Sequence, residues 1–133
     1  KYFYANEYTV LGKARNLATE KSKGDFIAFL DTDDLWDKNK LELQMGYFNN
    51  PEVGVVYSNL WLLKKDKKKK LHMRQKLPRG NIYNELIKNY SVGILTAVIR
   101  RKFFLKLEKK FDERFTIIED FDFFFKAFKI MFL

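Results

Sequence analysis

Five consecutive apolar residues, Phe26, Ile27, Ala28, Phe29 and Leu30, stop at three carboxylates, Asp31, Asp33 and Asp34. Gly24 and Asp25 precede the run as a turn signal. An apolar run bounded in this way predicts a short strand buried on both faces, the pattern of a sheet covered by helices on each side. Extended backbone sends side chains i and i+2 to one side, so Asp31 and Asp33 are expected to converge on one cation. Oxygen donors alone suit hard Mg2+ or Mn2+, which take one or two protein carboxylates and share the rest with substrate phosphates. Ligand crevices of open α/β sheets lie outside the carboxyl ends of the strands, where this cluster falls. The same residues also suit a strand-to-helix loop in which Asp34 or Asp37 only caps a helix.

With 133 residues the chain is expected to form a single domain, residues 1–133. It contains no Cys and a single His, His72, which excludes disulfides, zinc-thiolate sites, thiol nucleophiles and His-rich metal centres. Twenty-six Lys and Arg against 17 Asp and Glu give a net charge of +9, suited to nucleic acid, anionic lipid headgroups or a phosphorylated small molecule. No run approaches the ~18 apolar residues of a membrane span. The opening Lys1-Tyr2-Phe3-Tyr4 lacks the apolar core of a signal peptide, and Ile130-Met131-Phe132-Leu133 stops inside an apolar pattern. A piece of a longer protein is the expectation.

Val10, Leu11, Ala14, Leu17 and Ala18 predict a helix over residues 9–22, capped by Thr9 and ended by Gly24, with Lys13, Arg15 and Asn16 on its polar face. After the central strand, a helix is predicted from Asp37 to about Asn50, with Leu41, Met45 and Phe48 inward. Residues 53–63 read as strand. Residues 64–70 hold six Lys and one Asp between apolar stretches, which predicts a hairpin with a solvated tip and also suits contact with anionic lipid or polyanion. Asn81 is expected to cap a helix reaching Tyr90, with Ile82, Leu86 and Ile87 inside. Residues 94–99 read as a further buried strand and residues 101–107 as a short helix. Phe121, Phe124, Phe125 and Phe128 recur at i, i+3, i+4 and i+7 and define one apolar helical face. Glu119, Asp120 and Asp122 crowd the first turn of that helix, where carboxylates complement the helix dipole. Neither a P-loop nor a Gly-rich dinucleotide fingerprint occurs. Alternating strands and helices predict an α/β fold with a mainly parallel sheet.

Gly12-Lys13-Ala14-Arg15-Asn16, the stretch from Lys23 through Asp31-Thr32-Asp33-Asp34-Leu35-Trp36, Lys40-Leu41-Glu42-Leu43-Gln44, Ile99-Arg100-Arg101, Phe111-Asp112-Glu113 and Glu119-Asp120-Phe121-Asp122 follow one another in order. Together they resemble glycosyltransferase family 2. The resemblance implies a GT-A-like, Rossmann-like sheet flanked by helices and incomplete at the N-terminus. Lys1 to Tyr4 would then be the tail of the last strand of a missing nucleotide-binding unit. It further implies metal-dependent, inverting transfer from a nucleotide-diphosphate sugar, a UDP-sugar foremost, to a hydroxyl of a cell-surface or lipid-linked glycan. Bacterial polysaccharide or lipopolysaccharide biosynthesis would be the setting. Asp31-Thr32-Asp33 matches the family's DxD motif: Asp33 would ligate Mn2+ or Mg2+, and Asp31 would meet the nucleotide ribose or the same metal. Arg15 matches a basic residue near the nucleotide. Asp120 matches the candidate catalytic base, with Glu119 supporting it. One departure is Glu108-Lys109-Lys110-Phe111-Asp112-Glu113, where the family usually carries Gly-Gly-Phe-Asp-Glu; losing both Gly alters backbone freedom near the acceptor.

The chemistry agrees with that placement. A departing nucleoside diphosphate gathers negative charge that a divalent cation stabilises, and the attacking hydroxyl needs a base for its proton. The expected location is the cytoplasm, with possible contact at the inner membrane face. Two other classes are weighed beside it. A polyanion- or membrane-surface-binding basic module would rest on the charge, although no aromatic nucleic-acid motif such as RNP1 accompanies it and no nucleic-acid partner is expected. A catalytically inactive fragment would retain the motifs without the activity.

Overall fold

The computed structural model describes residues 2–4, 7–65 and 69–131. In chain order the elements are α1 (Leu11–Lys21), β1 (Phe26–Ala28), α2 (Lys40–Met45), a 3-10 turn (Gly46–Asn49), β2 (Val55–Val56), β3 (Trp61–Leu63), β4 (Lys69–Leu71), α3 (Tyr83–Lys88), a second 3-10 turn (Ile94–Thr96), β5 (Val98–Arg100), α4 (Arg101–Lys106) and α5 (Glu119–Met131). Alternating helices and strands make the α/β class that was expected.

The pairing differs from expectation. Among the described residues β5 lies between β1 and β2 and runs antiparallel to both, with Ile99 opposite Ile27 on one side and Val55 on the other. β1 and β2 therefore point the same way, joined across α2 as in a parallel crossover, but β5 occupies the place between them. Codirectional strands are present; parallel hydrogen bonding is not. β5 takes the centre because Val98 and Ile99 are the residues that bury on both sides. β1, with only Ile27 buried and Leu30 exposed, has one covered face rather than the expected two. Residues 53–63 divide into β2 and β3, and residues 94–99 open with a 3-10 turn before becoming strand. β3 and β4 form the expected hairpin, Trp61 opposite Leu71 and Leu63 opposite Lys69; residues 66–68 at its tip lie outside the described residues. Tyr2, Phe3 and Tyr4, expected as a strand tail, are exposed and pair with no strand.

Two arginines fasten the sheet to its surroundings. Arg100 donates to the carbonyls of Val53 (3.0 Å) and Phe48 (2.7 Å) while its guanidinium lies over the Phe26 and Phe48 rings. Arg101 donates to the carbonyls of Gly24 and Thr19, holding the end of α1 to the start of β1.

The main core is aromatic and belongs largely to α5. Phe123, Phe124, Ala127 and Phe128 are buried against Ile82 and Leu86 of α3, Phe104 and Leu107 of the α4 region, and Phe111. Phe111 stacks on Phe123 at 4.5 Å between centroids, and Phe104 meets Phe123 at 5.4 Å. The face is turned slightly from the predicted one: Phe123 enters the core, while Phe121 and Phe125 are half-buried beside Tyr90 and Tyr83.

α1 turns further. Its predicted inward stripe of Leu11, Ala14, Leu17 and Ala18 is exposed, and Gly12, Arg15 and Thr19 are buried instead. Arg15 finds its charged partners on the inner side and Gly12 permits close backbone approach there, and together these decide the orientation. α1 starts after Val10 with no side-chain cap, not at Thr9, and Ser22 rather than Gly24 closes it. Leu41 and Ile87 were likewise expected inside and are exposed; Gln44 is buried in α2 because its amide donates to the Thr96 carbonyl at 2.8 Å. Asn81 does accept the Tyr83 N–H, at 3.1 Å, at the start of α3.

Phe123→Ala is expected to lower unfolding free energy by about 3–5 kcal/mol, and Ile87→Ala by less than about 0.5 kcal/mol, in urea denaturation. A larger cost at Ile87 than at Phe123 would mean that α5 and α3 pack by the faces their periodicity suggests.

Candidate active site

Three segments far apart in sequence deliver the candidate residues. α1 supplies Arg15, the turn after β1 supplies Asp31, and the first turn of α5 supplies Glu119 and Asp120. The Arg15 guanidinium donates through Nη1 to Glu119 Oε1 and through Nη2 to both carboxylate oxygens of Asp31, at 3.3 and 3.2 Å. Arg15 is 5% and Glu119 6% exposed, whereas Asp31 opens toward solvent. Charge-assisted hydrogen bonds of this kind are shorter and stronger than neutral ones, and burial reduces their screening. The Phe29 and Phe111 rings lie beside the guanidinium, 5.9 and 5.7 Å from their centroids.

The neighbours of Arg15 on α1 set the next layer. Asn16 donates through Nδ2 to the Phe111 carbonyl at 2.9 Å and accepts the Phe111 N–H on Oδ1 at 3.1 Å. Its Nδ2 also donates to Glu113 Oε1 at 3.1 Å. A Cβ on Gly12 would sit 3.4 Å from the Asp112 carbonyl oxygen and 3.5 Å from Phe111 Cβ, ordinary contact distances that place α1 directly against this segment. Thus Gly12 and Asn16 fix Phe111, Asp112 and Glu113, and Phe111 in turn packs on Arg15.

At the start of α5, Asp120 Oδ2 accepts the Tyr90 hydroxyl at 2.9 Å and Oδ1 accepts the Phe121 N–H at 2.8 Å. Burial first, then the adjacent Asp120 carboxylate, pushes the Tyr90 phenol far above its ordinary range, so it remains a protonated donor. Ile118, just before the helix, holds a positive φ of 63°, a conformation that costs a β-branched residue roughly 1–3 kcal/mol. That strained residue sets where Glu119 and Asp120 enter the helix.

The acidic loop is not extended as the i, i+2 argument supposed. The Asp34 N–H donates to the Asp31 carbonyl at 3.1 Å and closes a turn, so alternation of side chains does not operate across Asp31 and Asp33. Asp33 is exposed and makes no hydrogen bond among the described residues. Burial, then the neighbouring Asp33 and Asp31, holds the Asp34 carboxyl above its ordinary range. Among the described residues no group of three or more His, Asp or Glu forms a ready metal cage. The oxygen donors of Asp31 and Asp33 are of the type that a hard divalent cation takes.

Of the residues read from sequence, Arg15, Asp31 and Glu119 are joined directly, with Asp120 adjacent; Asp33 stands apart from that network. Tyr90 and the two flanking rings were missed. Tyr90 lies 30 residues from its partner and carried no sequence signal beyond closing a predicted helix.

The chain matches the family described as "Glycosyltransferase like family 2" over residues 2–132. It is similar to the UDP-Glc:alpha-D-GlcNAc-diphosphoundecaprenol beta-1,3-glucosyltransferase WfgD of Escherichia coli, 36% identical over 97 residues, covering 72% of this chain and 37% of that protein. The putative teichuronic acid biosynthesis glycosyltransferase TuaG of Bacillus subtilis is 32% identical over 102 residues, 74% of this chain and 39% of its own length. The glycosyltransferase MJ1057 of Methanocaldococcus jannaschii is 28% identical over 121 residues, 87% of this chain and 40% of its own length. The chain thus spans about two fifths of the length of these relatives. No solved structure gives a significant match.

The loop after the acidic turn is held by Trp36, whose Nε1–H donates to the Leu95 carbonyl at 2.9 Å. Lys40 Nζ lies 4.3 Å from the Trp36 ring centroid and, although buried, has no hydrogen-bond partner. Burial lowers its pKa from 10.5 to about 8. Between those values the unfolded chain keeps a proton that the folded chain releases, so this site favours folding increasingly as pH rises through the window. Lys40→Met is therefore expected to melt higher than wild type at pH 7, with the gap closing as pH approaches 10.5. A gap independent of pH in paired thermal melts would show that Lys40 is not desolvated.

Proposed function

Because the chain belongs to the glycosyltransferase family 2-like proteins, we propose that it carries the diphosphate- and acceptor-side machinery of an inverting sugar transferase. The donor is a nucleotide-diphosphate sugar, UDP-linked, and the acceptor a hydroxyl of a lipid-linked or cell-surface glycan. The names of the Escherichia coli and Bacillus subtilis relatives support donor and acceptor class. The observation that carries the reading is the Arg15 bridge, which joins the Asp31 turn to the Glu119–Asp120 turn.

Each residue has a role in this reading. Asp33 and Asp31 would hold Mn2+ or Mg2+, which when bound would supply Lewis-acid stabilisation of the negative charge on the leaving nucleoside diphosphate. Arg15 holds Asp31 in place and, through Glu119, fixes the first turn of α5. Asp120 takes the proton of the acceptor hydroxyl as that oxygen bonds to the anomeric carbon and the bond to the β-phosphate oxygen breaks. Tyr90 and the Phe121 N–H each occupy one lone pair of Asp120, orienting the carboxylate and leaving a lone pair on each oxygen for the acceptor. The GT-A-like arrangement, the single transferase domain over residues 1–133 and action at the cytoplasmic face of a membrane belong to the same proposal.

Two substitutions in the full-length protein test the roles separately. Asp33→Asn is expected to abolish Mn2+-dependent UDP binding in calorimetry; undiminished binding would move the cation elsewhere. Asp120→Asn is expected to keep UDP affinity and to lower kcat by about 10²–10⁴. Transfer at a near wild-type rate would place the base on another residue.

A further inference from the structure

Positive charge is not spread over this chain. Between residues 53 and 84 there are nine Lys and Arg against one Asp, a net +8 out of the whole chain's +9. The β3–β4 hairpin lies within this segment. Lys64, Lys65, Lys69 and Lys70 are exposed, and so, against ordinary expectation for a strand, are Trp61 (60%), Leu62 (47%) and Leu63 (61%). Strand alternation puts Trp61 and Leu63 on one face with Leu71 and Lys69, and Leu62 with Lys70 on the other. Both faces are apolar and basic together.

The base of the hairpin is firmly closed. Asn59 donates to the Met73 carbonyl at 2.7 Å and accepts the Met73 N–H at 3.1 Å, and the His72 N–H donates to the Leu60 carbonyl at 3.0 Å. Leu60 also packs toward Gly93, where a Cβ would meet its Cδ2 at 3.3 Å. Gly93 lies three residues beyond Tyr90, the hydrogen-bond partner of Asp120. The hairpin is thus rooted beside the segment that carries Tyr90.

We infer that the β3–β4 hairpin is a docking surface for an anionic lipid bilayer, with the lysines meeting headgroups and Trp61, Leu62 and Leu63 entering the interface. Lysines alone would suit any polyanion. Three adjacent exposed apolar residues gain nothing from a phosphate backbone in water, whereas the boundary of headgroup and acyl chain accepts Leu and favours the amphipathic indole of Trp. Among the described residues no helix is long and apolar enough to cross a membrane. The inference rests on the transferase reading only for its purpose, which is to bring the site to a lipid-linked acceptor.

Co-sedimentation with vesicles tests it without donor sugar or turnover. The chain is expected to pellet with phosphatidylcholine vesicles containing phosphatidylglycerol and to stay in solution with phosphatidylcholine alone. Lys69→Gln/Lys70→Gln should weaken partition roughly fivefold per lysine. Leu62→Ser/Leu63→Ser should weaken it by about tenfold or more. These positions are exposed, so both variants are expected to melt as wild type. Equal binding to neutral vesicles, or binding that the leucine variant leaves unchanged while heparin displaces it, would overturn the inference; the latter would make the hairpin a polyanion site. Vesicle binding that persists in a full-length protein that fails to bind UDP would count against the UDP-linked donor and leave this inference standing.

Discussion

A buried guanidinium is tolerated only where its charge is answered, and Arg15 is answered twice. Asp31 and Glu119 come from segments that share no sequence neighbourhood, so placing one charge inside the molecule requires the turn after β1 and the first turn of α5 to be brought together. Taking ions out of water costs several kcal/mol each, and mutual attraction offsets this only with good geometry. The Phe29 and Phe111 rings exclude water without competing for the hydrogen bonds. The pairing therefore contributes little net stability for what it demands. It contributes position, which a site assembled from three segments requires.

The aromatic core and the site are one construction. Phe111 stacks on Phe123 of α5 while its ring flanks Arg15 and its backbone is clamped by Asn16. A shift of α5 would thus reach the guanidinium by two routes, directly through Glu119 and through Phe111. The Ile99-Arg100-Arg101 motif serves the same end from the other side, since both arginines spend their donors on backbone carbonyls that bound α1, β1 and the turn after α2. Strain at Ile118 is paid within this frame, where the packing of α5 behind it leaves little freedom to relax.

Local chemistry was legible from sequence, and orientation was not. The acidic end of β1, the lysine hairpin, the turn before α3 and the carboxylate-rich start of α5 all lie where the residues indicated. The facing of α1 was misread because periodicity ranks Leu11 and Leu17 above Arg15, and only the partners Asp31 and Glu119, 16 and 104 residues away, make the charged face the inner one. Leu41 yielded to Gln44 for the same reason: a long-range carbonyl acceptor outweighed hydrophobicity. Strand direction failed because β5, more than forty residues after β2, enters between two strands that are adjacent in sequence order. The hydrogen bond of Tyr90 to Asp120 belongs to the same class of long-range fact.

Electrostatics divides the molecule into two regions with opposite needs. On the segments that Arg15 joins, Asp31, Asp33, Asp34, Glu119 and Asp120 stand against one guanidinium, while Asp122 is answered by Lys126. A diphosphate approaching that surface meets net negative charge, and Asp34 is held above its ordinary range by burial first and then by the neighbouring Asp33 and Asp31. In the proposed reaction a divalent cation would answer this charge; among the described residues no cage of three or more carboxylates is preformed to hold it. The chain's excess of basic over acidic residues falls instead in residues 53–84, outside the Arg15 network. Had those lysines lain among the carboxylates, they would have neutralised the very charge that the proposed cation would answer.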